Sequence, residues 1–248
     1  MQQFALFTFY GNLNDFLSKK DRNKKITYSF RATPSVKDAV EAIGVPHVEV
    51  EWLQVNATPA LFSYYLQAGD EVEVYPQDSP AVPRSAPPLR DNSQRPHSFV
   101  LDMHLGALAR RLRLLGIDTL YHKHITDKEL AHLSSEEHRV ALTRDIALLK
   151  QKIIDWGYWL RSQQPEEQLL EVVKRYALTP FFAPFSRCLS CNGLIHPVKK
   201  ETVLESLPHG TKEYFDNFYQ CRDCGKVYWK GSHYERMIRF IEELKAKL

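Results

Sequence analysis

The chain has 248 residues, 44% of them hydrophobic and 25% charged, with a formal net charge of +3. That length is one large domain or two to three small ones, and no apolar run reaches the length a membrane helix requires. The opening MQQFALFTFYGNLNDF lacks the basic start of a secretory signal. Charge is uneven: residues 1–78 carry 7 Lys+Arg against 10 Asp+Glu, leaving 26 against 20 for the remainder. An acidic front and a basic back imply separate modules with separate partners.

In the front module, alternation predicts strands over Phe4–Tyr10 and Lys25–Arg31. Ser35 with Asp38 forms a capping pair, and Val36, Ala39, Val40 and Ile43 follow at helical spacing up to the stop at Gly44. Strands follow over Glu51–Asn56 and Asp70–Tyr75. One helix can cover one face of such a small mixed sheet, an α+β arrangement. Residues 79–97, SPAVPRSAPPLRDNSQRPH, hold five prolines and almost no large apolar residue, which predicts a stiff, extended linker.

Beyond the linker the period changes. Ser98–Leu101 is an apolar run ending at Asp102, followed by a helix with Leu105, Leu108, Leu112 and Leu115 inward, closed by Gly116. Further strands are expected over Asp118–His122, Arg139–Thr143 and Gly157–Arg161, and helices from Thr126, over Ile146–Lys152 and over Glu166–Tyr176. Alternating strands and helices imply an α/β domain built on a parallel sheet. Its expected extent is 98–180, with a cysteine-bearing module and a C-terminal helix over 181–248.

Sites in open parallel sheets form beyond the carboxyl ends of the strands. Asp102 ends the first strand of this domain, Asp145 lies just past the third in LTRD, and Asp127 and Glu129 open the helix after the second. Carboxylates gathered at one edge repel one another unless a cation sits between them, and oxygen ligands favour Mg²⁺ or Mn²⁺, which can support phosphodiester cleavage. Thr143 can turn its hydroxyl toward that edge. The same residues also suit helix caps, and Thr126 with Glu129 forms a capping box. Asp118 begins its strand and should face the opposite edge, a structural position. Arg110, Arg111 and Arg113 are expected on the exposed side of the helix after Asp102, and Arg144 lies beside Asp145, a basic rim suited to a phosphate backbone.

The four cysteines stand as Cys188-x2-Cys191 and Cys221-x2-Cys224, each pair in a short turn. Two such pairs fit a tetrahedral structural zinc with no open position, and reduced thiolates suit the cytoplasm. The turns hold Gly193 and Gly225, expected to let backbone amides face the sulfurs. After them, KVYWKGSHYERM interleaves aromatic and basic residues, so that Trp229, Lys230 and His233 suit contact with unpaired bases.

Two resemblances follow from these stretches. SVKDAVEAIGVPHVEV, VNATPA and LQAGDEVEVYP resemble the ubiquitin-like beta-grasp family of sulfur carriers over residues 1–78. Such carriers need a free terminal Gly-Gly, and here YPQDSP follows, so a docking module with a protein partner is expected. FVLDMHLGALARRLRLLGIDT, ALTRD and EEQLLEV resemble the Mut-seven C-terminal ribonucleases, a PIN-like branch of nucleases with a zinc ribbon, over about residues 98–240. That resemblance implies metal-dependent cleavage of RNA with Asp102 and Asp145 as ligands and Asp127 or Glu129 as a third. PIN-type sites often hold a fourth carboxylate, and none is evident here, so an RNA- or ribosome-binding adaptor with a degenerate nuclease fold is the alternative.

Overall fold

A computed structural model describes residues 2–77, 79 and 87–248. The chain divides into two compact units, one of residues 1–95 with 145–159, the other of residues 96–144 with 160–248. Among the described residues no helix is long and apolar enough to cross a membrane.

The first unit holds a mixed sheet of β1 (Gln3–Phe9), β2 (Ile26–Phe30), β3 (Trp52–Val55), β4 (Thr58–Pro59) and β5 (Glu71–Tyr75), in the order β2-β1-β5-β3-β4. The central pair β1–β5 is parallel and the remaining pairs are antiparallel. The two-residue period of β1 sends Ala5, Phe7 and Phe9 into the core. Helix α1 (Val36–Ile43) closes that core with Val36, Ala39 and Val40. Ser35 Oγ accepts from the Asp38 N–H at the start of α1, and Gly44 ends it at φ 136°, as the sequence predicts.

Two further segments belong to this unit. Residues 145–159 carry α4 (Ile146–Leu149) and β9 (Gly157–Trp159), numbered in chain order with α2, α3 and β6–β8 of the second unit below. His47 Nε2 donates to the Ile154 carbonyl at 2.9 Å, the Trp159 N–H donates to Glu49 Oε1 at 2.6 Å, and Lys150 Nζ donates to the Glu41 carbonyl at 2.8 Å. The expected linker over 79–97 is in part structured. Residues 80–86 lie outside the described residues, but Leu89 packs on the core, and Arg90 donates to the carbonyls of Val48 and Val50. Arg90 and Arg95 also flank the buried Glu51 and stack on Trp156. Arginines masked as linker residues supply what proline composition could not, counter-charges for a buried carboxylate.

The second unit holds the parallel strands β6 (Phe99–Leu101), β7 (Thr119–Tyr121) and β8 (Val140–Thr143), in the order β7-β6-β8. These strands are almost wholly apolar, as strands covered on both faces must be. Helices α2 (Gly106–Leu114), α3 (Asp127–Glu136) and α5 (Pro165–Arg175) accompany the sheet. Leu105, Leu108, Leu112 and Leu115 are buried along α2 and its flanks, as their spacing predicts. Beyond α5, an antiparallel ribbon of β10 (Ile195–Val198), β11 (Phe218–Cys221) and β12 (Val227–Trp229) carries the cysteines. The short helices α6 (Lys200–Val203) and α7 (His209–Tyr214) join β10 to β11, and α8 (Ser232–Ala246) follows β12.

Gly116 fixes the join between α2 and the lead-in to the ribbon. It adopts φ +84°, and a Cβ there would lie 2.1 Å from the Ala183 carbonyl oxygen. That carbonyl cannot retreat freely, because the Ala183 and Phe185 N–H groups donate to Leu115 and Leu114. Gly116→Ala combines a left-handed backbone with a backbone clash, so urea unfolding should show a loss of at least about 2 kcal/mol; an unchanged midpoint would contradict this packing.

Candidate functional site

Asp102 follows the last residue of β6, where the chain turns into the short 3-10 turn Met103–Leu105. Its Oδ1 accepts from the His104 N–H at 3.1 Å, and its Oδ2 accepts from Thr143 Oγ1 at 2.7 Å. Thr143 is fully buried at the end of β8, so its hydroxyl ties the two strand ends together through the Asp102 carboxylate. Asp102 thus serves as an N-cap while its carboxylate remains at the carboxyl edge of the sheet. Tyr121, ending β7, donates to the Met103 carbonyl at 2.9 Å.

The remaining carboxylates are placed differently. Glu129 is committed to its capping box: Oε2 accepts from the Thr126 N–H and from Thr126 Oγ1, both at 2.8 Å. The backbone hydrogen bond from Thr126 holds this carboxyl below its ordinary value. Asp127 is exposed in the first turn of α3. Asp145 caps α4 through the Ala147 N–H at 2.7 Å and opens the segment that belongs to the first unit. Among the described residues, the only group of three or more potential metal ligands in mutual reach is the four cysteines.

Arg110 is exposed and Arg111 partly so, with Arg111 Nη2 3.5 Å from Glu166. Arg144 is exposed. Arg113 corrects the sequence expectation of an exposed cation. It is 2% exposed, its Nε donates to the Thr119 carbonyl at 2.9 Å, and its Nη1 donates to the Ser190 carbonyl at 2.9 Å. The guanidinium is buried because the first cysteine turn presents carbonyls to it, and it is not available to RNA.

The four Sγ atoms lie within 4.8 Å of one another, with Cys188–Cys224 at 3.6 Å and Cys191–Cys221 at 3.4 Å. A tetrahedral ion with metal–sulfur bonds of about 2.3 Å needs sulfurs about 3.8 Å apart, so the cage fits. Burial opposes ionisation of Cys188, yet the Tyr228 hydroxyl and the N–H groups of Cys191 and Ser190 outweigh it and bring the thiol down to about 6. Burial and the neighbouring sulfurs push Cys191 up to about 12. Four thiolates in this space therefore require a cation. Gly225 takes a left-handed φ of 70°, whereas in the other turn Asn192 does so at 77°. The Gly193 N–H donates to the Cys191 sulfur, as the sequence predicts, and the position is also crowded: a Cβ would clash with the Asp223 carboxylate and Cys221 Sγ.

Of the residues that fasten this turn to the sheet, Asn192 and Arg187 have no signal in the sequence. Asn192 Oδ1 accepts from the Thr119 N–H, and its Nδ2 donates to Asp118 Oδ1. Asp118 also pairs with Arg139 at 2.7 Å and Arg187 at 3.1 Å, which bears out its reading as structural. Trp229 packs partly on the ribbon's small core of Val203, Leu207 and Phe218. His233 is exposed, and its Nδ1 accepts from Arg236 Nη2 at 2.8 Å.

With these placements described, comparison with known families is decisive. The Mut7-C RNAse domain matches residues 97–241. The chain belongs to that family. A Mut7-C ubiquitin domain matches residues 2–82 ahead of it. Searches of curated proteins and of solved structures returned no match.

Asp118 offers a pH test of the fastening. Burial opposes its charge, but the hydrogen bonds from Arg139 and Asn192 outweigh it and hold the carboxyl below its ordinary value. A lowered carboxyl contributes stability that is present above the unfolded value and lost as pH falls through the folded one. Asp118→Asn should therefore cost about 2 kcal/mol at neutral pH, and the gap to the parent chain should narrow only below about pH 4. Denaturation midpoints measured across that range check both the size and the direction.

Proposed function

We propose that the chain is a divalent-metal-dependent ribonuclease that cuts RNA phosphodiester bonds at the carboxyl edge of its parallel sheet. The observation that carries the reading is the Asp102 carboxylate held at that edge by the buried Thr143 hydroxyl at 2.7 Å. Family membership supports it. Asp102, Asp145 two residues beyond Thr143, and Asp127 or Glu129 are the residues that would hold Mg²⁺ or Mn²⁺. Their hard oxygens suit such an ion, which keeps several waters and needs only one or two carboxylates. Of the two candidate third residues, Asp127 is favoured, since Glu129 is held by Thr126. When bound, the ion supplies an activated water and neutralises phosphate charge.

The chain's own residues do the rest. Thr143 fixes the rotamer of Asp102 and leaves each carboxylate oxygen a lone pair for further ligation. Arg110, Arg111 and Arg144 attract phosphates by charge, and Trp229, Lys230 and His233 contact the strand on the ribbon. The four cysteines would hold a structural zinc that shapes the ribbon and takes no part in the reaction.

A second reading is an RNA-binding adaptor without catalysis. It is favoured by one observation: among the described residues, no three carboxylates lie within mutual ligand reach.

Labelled RNA incubated with Mn²⁺ should yield fragments. Asp102→Asn and Asp145→Asn should each slow cutting by about 10²- to 10³-fold, with circular dichroism unchanged. Undiminished cutting by both variants would move the activity elsewhere, and RNA binding without fragments would favour the adaptor. Metal analysis should find about one zinc per chain, and Cys191→Ser or Cys224→Ser should abolish it. Full zinc content in both variants would refute the four-cysteine site.

A further inference from the structure

Three hollows of the second unit adjoin one another, with Leu189 and Met237 lining all three. The first, about 780 Å³, begins at Gly106 and Tyr121 and runs past Arg110 and Arg111 to Ser190 and Lys226. The second, about 750 Å³, shares Arg110, Arg111 and Lys226 with it and continues to Trp229, His233 and Arg236. The third, about 340 Å³, shares Trp229 and Tyr234 with the second and ends against Phe185, Tyr219 and Lys230.

The first hollow is tied to the carboxyl edge. The Tyr121 hydroxyl that walls the first hollow donates to the carbonyl of Met103, the residue after Asp102. A Cβ on Gly106 would lie 2.7 Å from that hydroxyl, so only glycine keeps the entrance open with Tyr121 in place. The third hollow is aromatic. Phe185 and Tyr234 have ring centroids 4.6 Å apart, and Lys230 lies 5.6 Å from the Tyr234 ring centre.

The chemistry of the lining is one-signed. Arg110, Arg111, Lys226, Lys230 and Arg236 border the three hollows, and no Asp or Glu does among the described residues. In a chain with 30 acidic residues, such a stretch selects a polyanion. A polyanion with planar groups matches a single-stranded nucleic acid: phosphates on the arginines, an unpaired base among the aromatic rings. A duplex buries its bases and could not use the last hollow.

We propose that this groove is a single-strand track, and that the hollow walled by Phe185, Tyr219 and Tyr234 holds one unpaired base of the strand whose phosphates cross Arg110 and Arg111. The identity of the strand as RNA rests on the proposed ribonuclease reading. The track itself does not, because binding is measured without cutting.

The test uses the full chain carrying Asp102→Asn, without added Mg²⁺ or Mn²⁺, and oligouridylates of about 4, 8 and 12 nucleotides. Affinity should rise with length and then level off, with quenching of Trp229 fluorescence that Trp229→Phe removes. Tyr234→Ala should weaken the longer oligomers about tenfold and leave an abasic oligomer of the same length unaffected. Arg110→Ala and Arg111→Ala should weaken all of them and each lower the salt slope by about one. Equal loss for abasic and normal strands on Tyr234→Ala would overturn the base hollow. Oligoglutamate competing as well as RNA would make the groove a site for an acidic protein segment and overturn the track. Metal content and circular dichroism separate these losses from unfolding. Tight binding with no cutting by the parent chain would sink the ribonuclease reading alone; cutting with no oligomer binding to the groove would sink the track alone.

Discussion

A guanidinium taken out of water costs several kcal/mol unless its donors are met, and Arg113 is the largest fully buried side chain among the described residues. Its acceptors are backbone carbonyls, one at the start of β7 and two in the first cysteine turn. Carbonyls cannot swing aside as side chains do. Helix α2, strand β7 and the cysteine turn are therefore fixed to one another by a single residue. Burial pushes the Arg113 guanidinium down from its ordinary value, and the negative sulfurs of Cys191 and Cys188 push it back. The same cation that holds the turn also offsets the charge gathered there. Asp118, Asn192 and Arg187 repeat the fastening with side chains. The groove between α2 and the ribbon has firm walls because of these two sets of contacts.

What was legible in the sequence was local. Ser35 and Asp38, or Thr126 and Glu129, lie three residues apart, and their caps depend on nothing else. The leucine spacing of α2 likewise gave its buried face. Arg113 lies in that same helix and was expected in water, where most arginines are found. Its burial depends on carbonyls 76 and 77 residues further along the chain, which no helical period can reveal. The cysteine spacing announced a metal cage and its glycines the amides that face the sulfurs, but the left-handed Asn192 and the crowding at Gly193 had no signal in it.

Long range also explains the unexpected division of the chain. Residues 145–159 carry the helix and the strand that the sequence predicts, and they group with the first unit through His47 and Glu49, partners 107 and 110 residues away. The chain consequently passes between the units at residues 95, 144 and 159. A front module joined by one linker could be cut off at that linker. Here such a cut would strip residues 145–159 of the hydrogen bonds they share with Glu41, His47 and Glu49. The matched family boundaries at residues 82 and 97 are thus boundaries of sequence descent, and the folded units divide elsewhere.

The carboxyl edge poses a different problem of reading, because a cap and a ligand call for the same residue. A strand that ends in an Asp and turns into a helix gives that side chain an N–H to accept whatever its further purpose. Asp102 and Asp145 both accept in this way. A carboxylate has about four lone pairs, so capping leaves capacity unused. What a cap does not need is a second donor from another strand. Thr143, fully buried on β8, gives Asp102 that donor at 2.7 Å. Valine would fill the same volume on a buried strand without a hydroxyl to satisfy. A hydroxyl there makes sense when the orientation of the Asp102 carboxylate matters beyond ending the strand.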